Sequence, residues 1–395
     1  MTTGTPLPPP FRLSVRMRPA ALALALACGA CAPGSGHHPA ALHLAAAAVP
    51  GTPWWETAGD PLLAQLVTQG LRQDGALLCR SDALARREGQ AHARKLTIRL
   101  SRLIAPQDNA LARQADAYAL AAARGHAATR IALAYVEVRR WQARIALRNH
   151  ALDPLRDNAE IARFRREAGL VSALDGDMAD VMTGLDRASM EAARAHLSDA
   201  IAELSRLTGA LPDDLRQQLG PDGAVPMFMP TAGAWDLSHR ADLMALHIRL
   251  RTDLARHKVS QQQWDAQLAD PDRIGLQPLR AAVAQWHKAQ TAAQAEIDAA
   301  VENRSAAQAR IAPLAQNAAL ALRAVGDARL AYRAGTEHFA TLYVAEGMAL
   351  AAQERRIDAD ALLASATLAF WEAQGLGWSQ SDLTPAPSGT TCDQP

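Results

Sequence analysis

The 395-residue chain has few aromatic residues: phenylalanine, tyrosine and tryptophan make up 4% of it, although 49% of its residues are hydrophobic. Alanine and leucine supply most of the apolar fraction. This composition favours long α-helices and is poor in the β-branched and aromatic residues that fill sheets. Basic and acidic residues nearly balance, with a formal net charge of +1. The charge therefore gives no indication of nucleic-acid binding.

The sequence also lacks the short motifs of common enzymes. It contains no H-E-x-x-H, no G-x-x-x-x-G-K-[ST], no G-x-S-x-G and no G-x-G-x-x-G. His239 and His247 are spaced so that they could share a helix face, but scattered surface histidines are the simpler interpretation. We therefore predict no catalytic residues, no metal and no cofactor, and a function other than that of an enzyme.

The N-terminal region is typical of an exported protein. Arginines precede an apolar run over residues 20–27, which is too short to span a membrane and is typical of a signal peptide. Cys28 follows this run directly, as at a lipoprotein cleavage site, although Leu26 lies one position closer to it than is usual. We predict a signal peptide over residues 1–27 and lipidation of Cys28, with Cys31 as the alternative acylated residue. An ordinary cleaved signal or an uncleaved anchor remains open.

The rest of the chain divides at stretches that are rich in proline and glycine. Long segments with apolar residues at steps of three and four predict packed helices between these stretches. The predicted parts are a flexible tether over 28–53, a first helical repeat over 54–211, a linker over 212–236, a second helical repeat over 237–378, and a disordered tail over 379–395.

The two predicted repeats share a short pattern. The stretches "ARFRREAGLVSALDGDMAD" and "ARLAYRAGTEHFATLYVAE" align without a gap, so that Ala168-Gly169 matches Ala334-Gly335. Glycine suits the left-handed position that ends a helix, and arginines suit its last turn. The pattern predicts an antiparallel helical hairpin that has been duplicated, although alanine-rich helices align with one another easily.

Three acidic residues follow the first glycine turn: Asp175, Asp177 and Asp180. One interpretation is an acidic ring at a channel mouth, which would favour cations. The other is compensation of the helix dipole at the start of a helix. The sequence does not choose between them.

Together these parts resemble the TolC-like outer-membrane efflux proteins, in particular the NodT-type lipoprotein branch. The resemblance rests on the signal with Cys28, on "PWWETAGDPLLAQLVTQGL", on the tip patterns "RREAGLVSALD" and "AYRAGTEHFATL", and on the ending "ALLASATLAFWEAQGLGW". It implies a homotrimer at the outer membrane, with most of the chain in the periplasm, that works with a periplasmic adaptor protein and an inner-membrane pump. The residues implied in adaptor contact are Gly169, Leu170, Val171, Ser172, Gly335 and Thr336.

The sequence departs from that family where β-strands are expected, near residues 91–117 and 265–282. "KLTIRLSRLI", from Lys95 to Ile104, alternates as a strand would, and we find no second run of that length near 265–282. We therefore predict an all-α protein of two tandem helical hairpins, with few or no strands. Its function is either that of a conduit in an export system or that of a periplasmic helical lipoprotein without a barrel, which acts as a scaffold or regulator.

Overall fold

The computed structural model describes residues 52–98, 107–170, 173–229, 237–257 and 277–384, and within these ranges all regular structure is helical. The predicted all-α class is confirmed. Two short 3-10 helices span Leu237–His239 and Gln380–Leu383. The α-helices of the described ranges are α1 (Trp54–Thr57), α2 (Pro61–Gln73), α3 (Gly75–Ile98), α4 (Gln107–Glu167), α5 (Ala173–Thr208), α6 (Pro212–Leu219), α7 (Ala241–Arg256), α8 (Gln277–Arg333) and α9 (Phe339–Ala373).

Four of these helices form two long antiparallel hairpins, as the repeated sequence predicts. In the first hairpin, the 61-residue helix α4 leads through a tip at Gly169 into α5. In the second, the 57-residue helix α8 leads through a tip at Gly335 into α9. With a rise of 1.5 Å per residue, α4 is roughly 90 Å long.

Helix α9 packs antiparallel on α4 and so joins the second hairpin to the first. Arg140 pairs with Asp358 at 2.8 Å, and Arg144 and Arg148 pair with Glu354 at 2.9 and 2.6 Å. The three arginines lie one turn apart on one face of α4, because residues four apart are neighbours on a helix surface. The Glu354 side chain is only 12% exposed. This ladder of ion pairs stabilises the contact between the two hairpins.

The largest buried cluster joins α2 to both hairpins. The Trp54 ring stacks on that of Trp371, with centroids 5.4 Å apart. A Cβ atom on Gly70 would lie 2.9 Å from the Leu207 carbonyl oxygen, so α2 approaches α5 as closely as only glycine allows. The cluster includes Leu63, Leu66, Val67, Ile131, Tyr135, Leu204, Leu368 and Trp371.

Asp60 caps α2, as the sequence Asp-Pro predicts. Its carboxylate accepts a hydrogen bond from the Leu63 amide at 3.0 Å, and Pro61 occupies the first helical position. The second oxygen of Asp60 accepts the Tyr135 hydroxyl at 2.8 Å. Burial raises the pKa of Tyr135 to about 12, so this hydroxyl stays protonated and donates. One side chain therefore both starts α2 and ties it to α4.

Three predicted segments differ from the structure. Residues 95–98, the start of the run that alternates as a strand would, form the last turn of α3, and residues 99–104 lie outside the described ranges. An alternating run this short also fits a helix, and extending α3 needs no partner strand. Helix α6 lies in the predicted linker, and a capping box at Ser379 and Asp382 starts a 3-10 helix in the predicted tail.

Other predictions lie where the structure describes nothing. The signal peptide over 1–27, with Cys28 and Cys31 after it, falls outside the described ranges. The same holds for residues 265–276, where the resemblance places strands. None of the described helices has the length and apolar character that crossing a membrane requires.

An ion pair between His126 and Glu372 also joins α4 to α9, and it makes the stability of this seam depend on pH. The pKa of His126 is raised above 6.5, chiefly by its hydrogen bond to Glu372. Because the pKa is higher in the folded protein, the stabilisation is complete below the unfolded pKa and is lost as the pH rises through the folded value.

We expect His126→Gln to remove this part of the pH dependence of unfolding between about pH 6 and pH 8. Urea unfolding of the wild type and the variant across that range measures it. Glu372→Gln should lower the His126 pKa in an NMR titration. An unchanged pH dependence in His126→Gln would show that the pair does not contribute.

Candidate docking site at the hairpin tips

The first tip ends α4 with a glycine in the left-handed region. Gly169 has φ 68°. Its amide donates to the Arg166 carbonyl at 2.9 Å, and the Leu170 amide donates to the Arg165 carbonyl at 2.8 Å. This pair of bonds is the Schellman motif, which satisfies carbonyls that the end of a helix leaves without partners.

The second tip repeats the same geometry 166 residues later. Gly335 has φ 76°, and its amide donates to the Tyr332 carbonyl at 3.0 Å. The Thr336 amide donates to the Ala331 carbonyl at 3.0 Å, and the Thr336 hydroxyl donates to the same oxygen at 3.0 Å. Thr336, predicted as a partner-contact residue, therefore also completes the helix cap.

Arg165 joins the two tips. Its guanidinium donates to the Tyr332 carbonyl at 3.0 Å and to the Arg333 carbonyl at 3.4 Å, so an arginine of the first hairpin caps the long helix of the second. The guanidinium carbon also lies 4.7 Å from the centre of the Tyr332 ring. A cation at the carboxyl end of a helix is favoured by the helix dipole. The sequence indicated this arginine only as a charge for its own helix.

A small hydrophobic cluster lies beneath the tips and contains residues of both hairpins. The Tyr332 and Phe339 rings meet edge to face, with centroids 5.9 Å apart. The buried members are Ala159, Ala162, Tyr332, Phe339 and Leu342. The cluster and the Arg165 bridge hold the two tips as one surface.

The duplicated sequence also places an ion pair at the same position in each hairpin. Arg163 pairs with Asp180 at 3.3 Å in the first, and Arg329 pairs with Glu346 at 2.9 Å in the second. The first pair is exposed, whereas Glu346 is 5% exposed and also accepts a hydrogen bond from Asn158 at 2.8 Å. Burial raises the pKa of Glu346, and its bonds to Arg329 and Asn158 oppose that effect.

The predicted acidic residues lie on the first turns of α5. Asp177 is 72% exposed and lies 3.2 Å from Arg166, and Asp180 pairs with Arg163. These arginines, on the facing helix of the same hairpin, reduce the negative field that the two carboxylates produce. Asp175 lies on α5, and its side chain is outside the described part.

Large apolar side chains are exposed at both tips. Phe164 is 77% exposed and Leu330 is 70% exposed. The two occupy equivalent positions of the repeat, since both precede the tip glycine by five residues. Leu170 is 74% exposed beside them. The sequence analysis missed Phe164 and Leu330, although an apolar residue between arginines in "ARFRRE" was a usable signal.

The remaining predicted contact residues are placed as follows. Gly169, Leu170, Gly335 and Thr336 are exposed at the tips, while Val171 and Ser172 lie outside the described residues. In the described part of the chain, no group of three histidine, cysteine, aspartate or glutamate side chains is arranged to hold a metal ion. The described tips therefore offer an apolar surface with arginines and carboxylates around it.

Comparison with solved structures identifies the fold. The outer-membrane channel OprN matches with a TM-score of 0.69 at 19% identity, over 84% of this chain and 94% of that one. The outer membrane protein VceC of Vibrio cholerae matches with a TM-score of 0.62 at 20% identity, over 82% and 99%. The CmeC outer membrane channel of Campylobacter jejuni matches with a TM-score of 0.62 at 13% identity, over 83% and 88%.

These matches cover nearly the whole length of the solved channels. The resemblance to TolC-like outer-membrane proteins is thus confirmed for the fold. No protein-family model matches the sequence, and no curated protein matches it either.

The tip geometry predicts opposite effects of alanine at two glycines of the second hairpin. Gly335→Ala should destabilise the protein by roughly 1–2 kcal/mol, because an L-residue is disfavoured in the left-handed region. Gly326→Ala is the matched control, since Gly326 lies inside α8 and a Cβ there has no atom within 4 Å. It should stabilise by about 0.5–1 kcal/mol. Thermal unfolding of both variants measures the difference, and equal stability would contradict the role of the tip glycine.

Proposed function

We propose that this chain is the outer-membrane channel component of an export system and that its two hairpin tips dock a periplasmic adaptor protein. The observation that carries the proposal is the pair of equivalent, exposed apolar residues, Phe164 and Leu330, at two tips that Arg165 ties together. It occurs in a chain with the fold of outer-membrane channels. Exposed apolar side chains on a rigid support are typical of the centre of a protein interface.

In this proposal the chain is a passive conduit. Substrate passes through the helical tunnel, and an inner-membrane pump supplies the energy. The adaptor contacts the exposed apolar surface and the polar backbone of the tips. The proposed contact residues are Phe164, Gly169, Leu170, Val171, Ser172, Leu330, Gly335 and Thr336.

The sides of the hairpins support self-association. Val181 and Leu185 on α5, and Val344 and Met348 on α9, are each more than half exposed and lie four residues apart. Such pairs form apolar stripes on a helix, and a second copy of the chain would cover them. We propose a homotrimer, in which the α4–α5 and α8–α9 hairpins of three chains surround the tunnel.

The proposed location is the outer membrane, with the helices in the periplasm. Acylation of Cys28 after removal of residues 1–27 would anchor the chain there, and residues 28–53 would connect the anchor to the helices. Asp175, Asp177 and Asp180 would mark the tunnel entrance. The arginine partners of Asp177 and Asp180 would have to move away before these two carboxylates could exert a full negative field.

The double variant Phe164→Ser/Leu330→Ser tests the docking site. Both side chains are mostly exposed, so the fold and the oligomer should be unchanged, while export should fall at least about tenfold because hot-spot side chains dominate interface energies. The measurement is dye efflux from cells in which the chromosomal gene is replaced by the variant. Met227→Ser is the matched control, since Met227 is 85% exposed and lies outside the tips.

Conductance in planar lipid bilayers separates the two candidate functions. The wild type and the tip variant should conduct equally, because the variant loses only its partner. A wild-type protein that is folded and trimeric but never conducts would contradict the conduit and support the scaffold. Equal export by the tip variant and by Met227→Ser would contradict the docking site.

A further inference from the structure

A cluster of arginines lies far from the tips, where α3 and α7 meet the first part of α4. Arg80 and Arg87 of α3 and Arg249 of α7 line one pocket of about 390 Å³, together with Asp116 of α4. Asp116 lies about 50 residues before the end of α4, which corresponds to roughly 75 Å from the first tip. The pocket is thus near the opposite end of the hairpins from the proposed docking site.

The pocket has more positive than negative charge. Asp116 forms a hydrogen bond and ion pair with Arg87 and lies 3.8 Å from Arg249. Arg80 is exposed and has no ion-pair partner among the described residues. A single carboxylate therefore compensates three guanidinium groups, which retain N–H donors for an anion.

The chain segments around the pocket also carry a net positive charge. The segments 75–91, 111–120, 248–257 and 279–288 contain nine arginines and lysines and four acidic residues, although the whole chain carries a net charge of only +1. The rest of the chain is consequently negative overall. The positive charge is concentrated on the parts of α3, α4 and α7 that line the pocket and on the start of α8, which packs against α7.

The apolar side of α3 is already used inside the protein. Leu77 and Leu84 are 5% and 3% exposed and belong to the main hydrophobic cluster. Over residues 75–91, where its side chains are described, helix α3 therefore presents arginines outward and leaves no apolar stripe free to enter a lipid phase. Contact with a membrane would be electrostatic and would involve headgroups rather than acyl chains.

We propose that the pocket lined by Arg80, Arg87 and Arg249 binds the phosphate group of anionic phospholipids. Guanidinium groups bind phosphate oxygens through paired, charge-assisted hydrogen bonds, and Asp116 offsets only part of the charge of the three arginines. The inference rests on the proposed function for its orientation, because tips that dock in the periplasm leave the opposite end of the hairpins toward the outer membrane. The lipid contact would fix the height and tilt of the helices at the membrane surface.

Binding of the full-length protein to phosphatidylcholine vesicles, with and without phosphatidylglycerol, tests the proposal. An acyl anchor does not distinguish these headgroups, so the ratio of the two affinities isolates the contribution of the pocket. The wild type should prefer the anionic vesicles, and the preference should weaken at high salt. This ratio can be measured whether or not the protein conducts, so a failure of the proposed function would be recognised separately.

In the triple variant Arg80→Gln/Arg87→Gln/Arg249→Gln, the ratio of the affinities for anionic and neutral vesicles should fall at least about tenfold. Each arginine near an anionic surface contributes to binding. The matched control, Arg187→Gln/Arg194→Gln/Arg323→Gln, removes the same charge from exposed positions on α5 and α8 and should retain the preference. Circular dichroism shows whether each variant is folded. If the triple variant is unfolded, Arg80→Gln alone should still weaken the preference, because Arg80 has no ion-pair partner in the described part.

Asp116→Asn should strengthen the preference for anionic vesicles, the opposite of the effect expected for the triple variant. It removes, at nearly constant volume, the one carboxylate among the described residues that line the pocket, so the preference for anionic vesicles should rise several-fold. Three results would overturn the proposal: no preference in the wild type, an equal loss in the control triple variant, or weaker binding by Asp116→Asn. Calorimetric binding of inorganic phosphate with no preference for phosphatidylglycerol would overturn the lipid as the ligand.

Discussion

The antiparallel contact between α4 and α9 is the interaction on which the rest of the described structure depends. Each hairpin alone is a pair of long helices with apolar residues that it cannot cover by itself. The packing of α4 on α9 sets the register between the hairpins. The arginines on α4 and the acids on α9 stabilise it, with Arg144 close to both Glu354 and Asp358. That register places the two tips side by side, so that Arg165 can reach the end of α8.

Duplication gave the two hairpins the same local chemistry, and packing then made them different. Arg163 with Asp180 and Arg329 with Glu346 occupy equivalent positions, yet only the second pair is buried. A buried ion pair needs further hydrogen bonds to offset the loss of water, and Asn158 of the first hairpin supplies one. The second pair has thereby become part of the contact between the hairpins, while the first remains on the surface.

The hairpins carry an apolar surface at their tips and an arginine-rich surface near their other end. The tips present exposed apolar side chains. Their backbone is held in place by the two helix caps, by the contact between the Tyr332 and Phe339 rings, and by Arg165. The far end, in its described part, presents arginines over buried leucines of α3. We propose that the first surface meets a protein and the second meets lipid phosphates, which is consistent with a protein that connects a membrane to a periplasmic partner.

The sequence by itself determined the helices, the cap at Asp60 and the two glycine turns, because these depend on hydrogen bonds between residues a few positions apart. It also indicated the duplicated hairpin and, through resemblance, the channel fold. The alternating run that begins at Lys95 would also suit a strand, but its described residues 95–98 continue α3, because the hydrogen bonds of a helix need no partner strand. Only the tertiary structure decided that Arg165 caps the other hairpin, that Phe164 and Leu330 are exposed at equivalent places, and that Arg80, Arg87 and Arg249 share one pocket. These depend on contacts between residues far apart in the chain, such as Arg165 and Arg333, which are separated by 168 residues. The packing of the helices sets such contacts, and no local pattern in the chain indicates them.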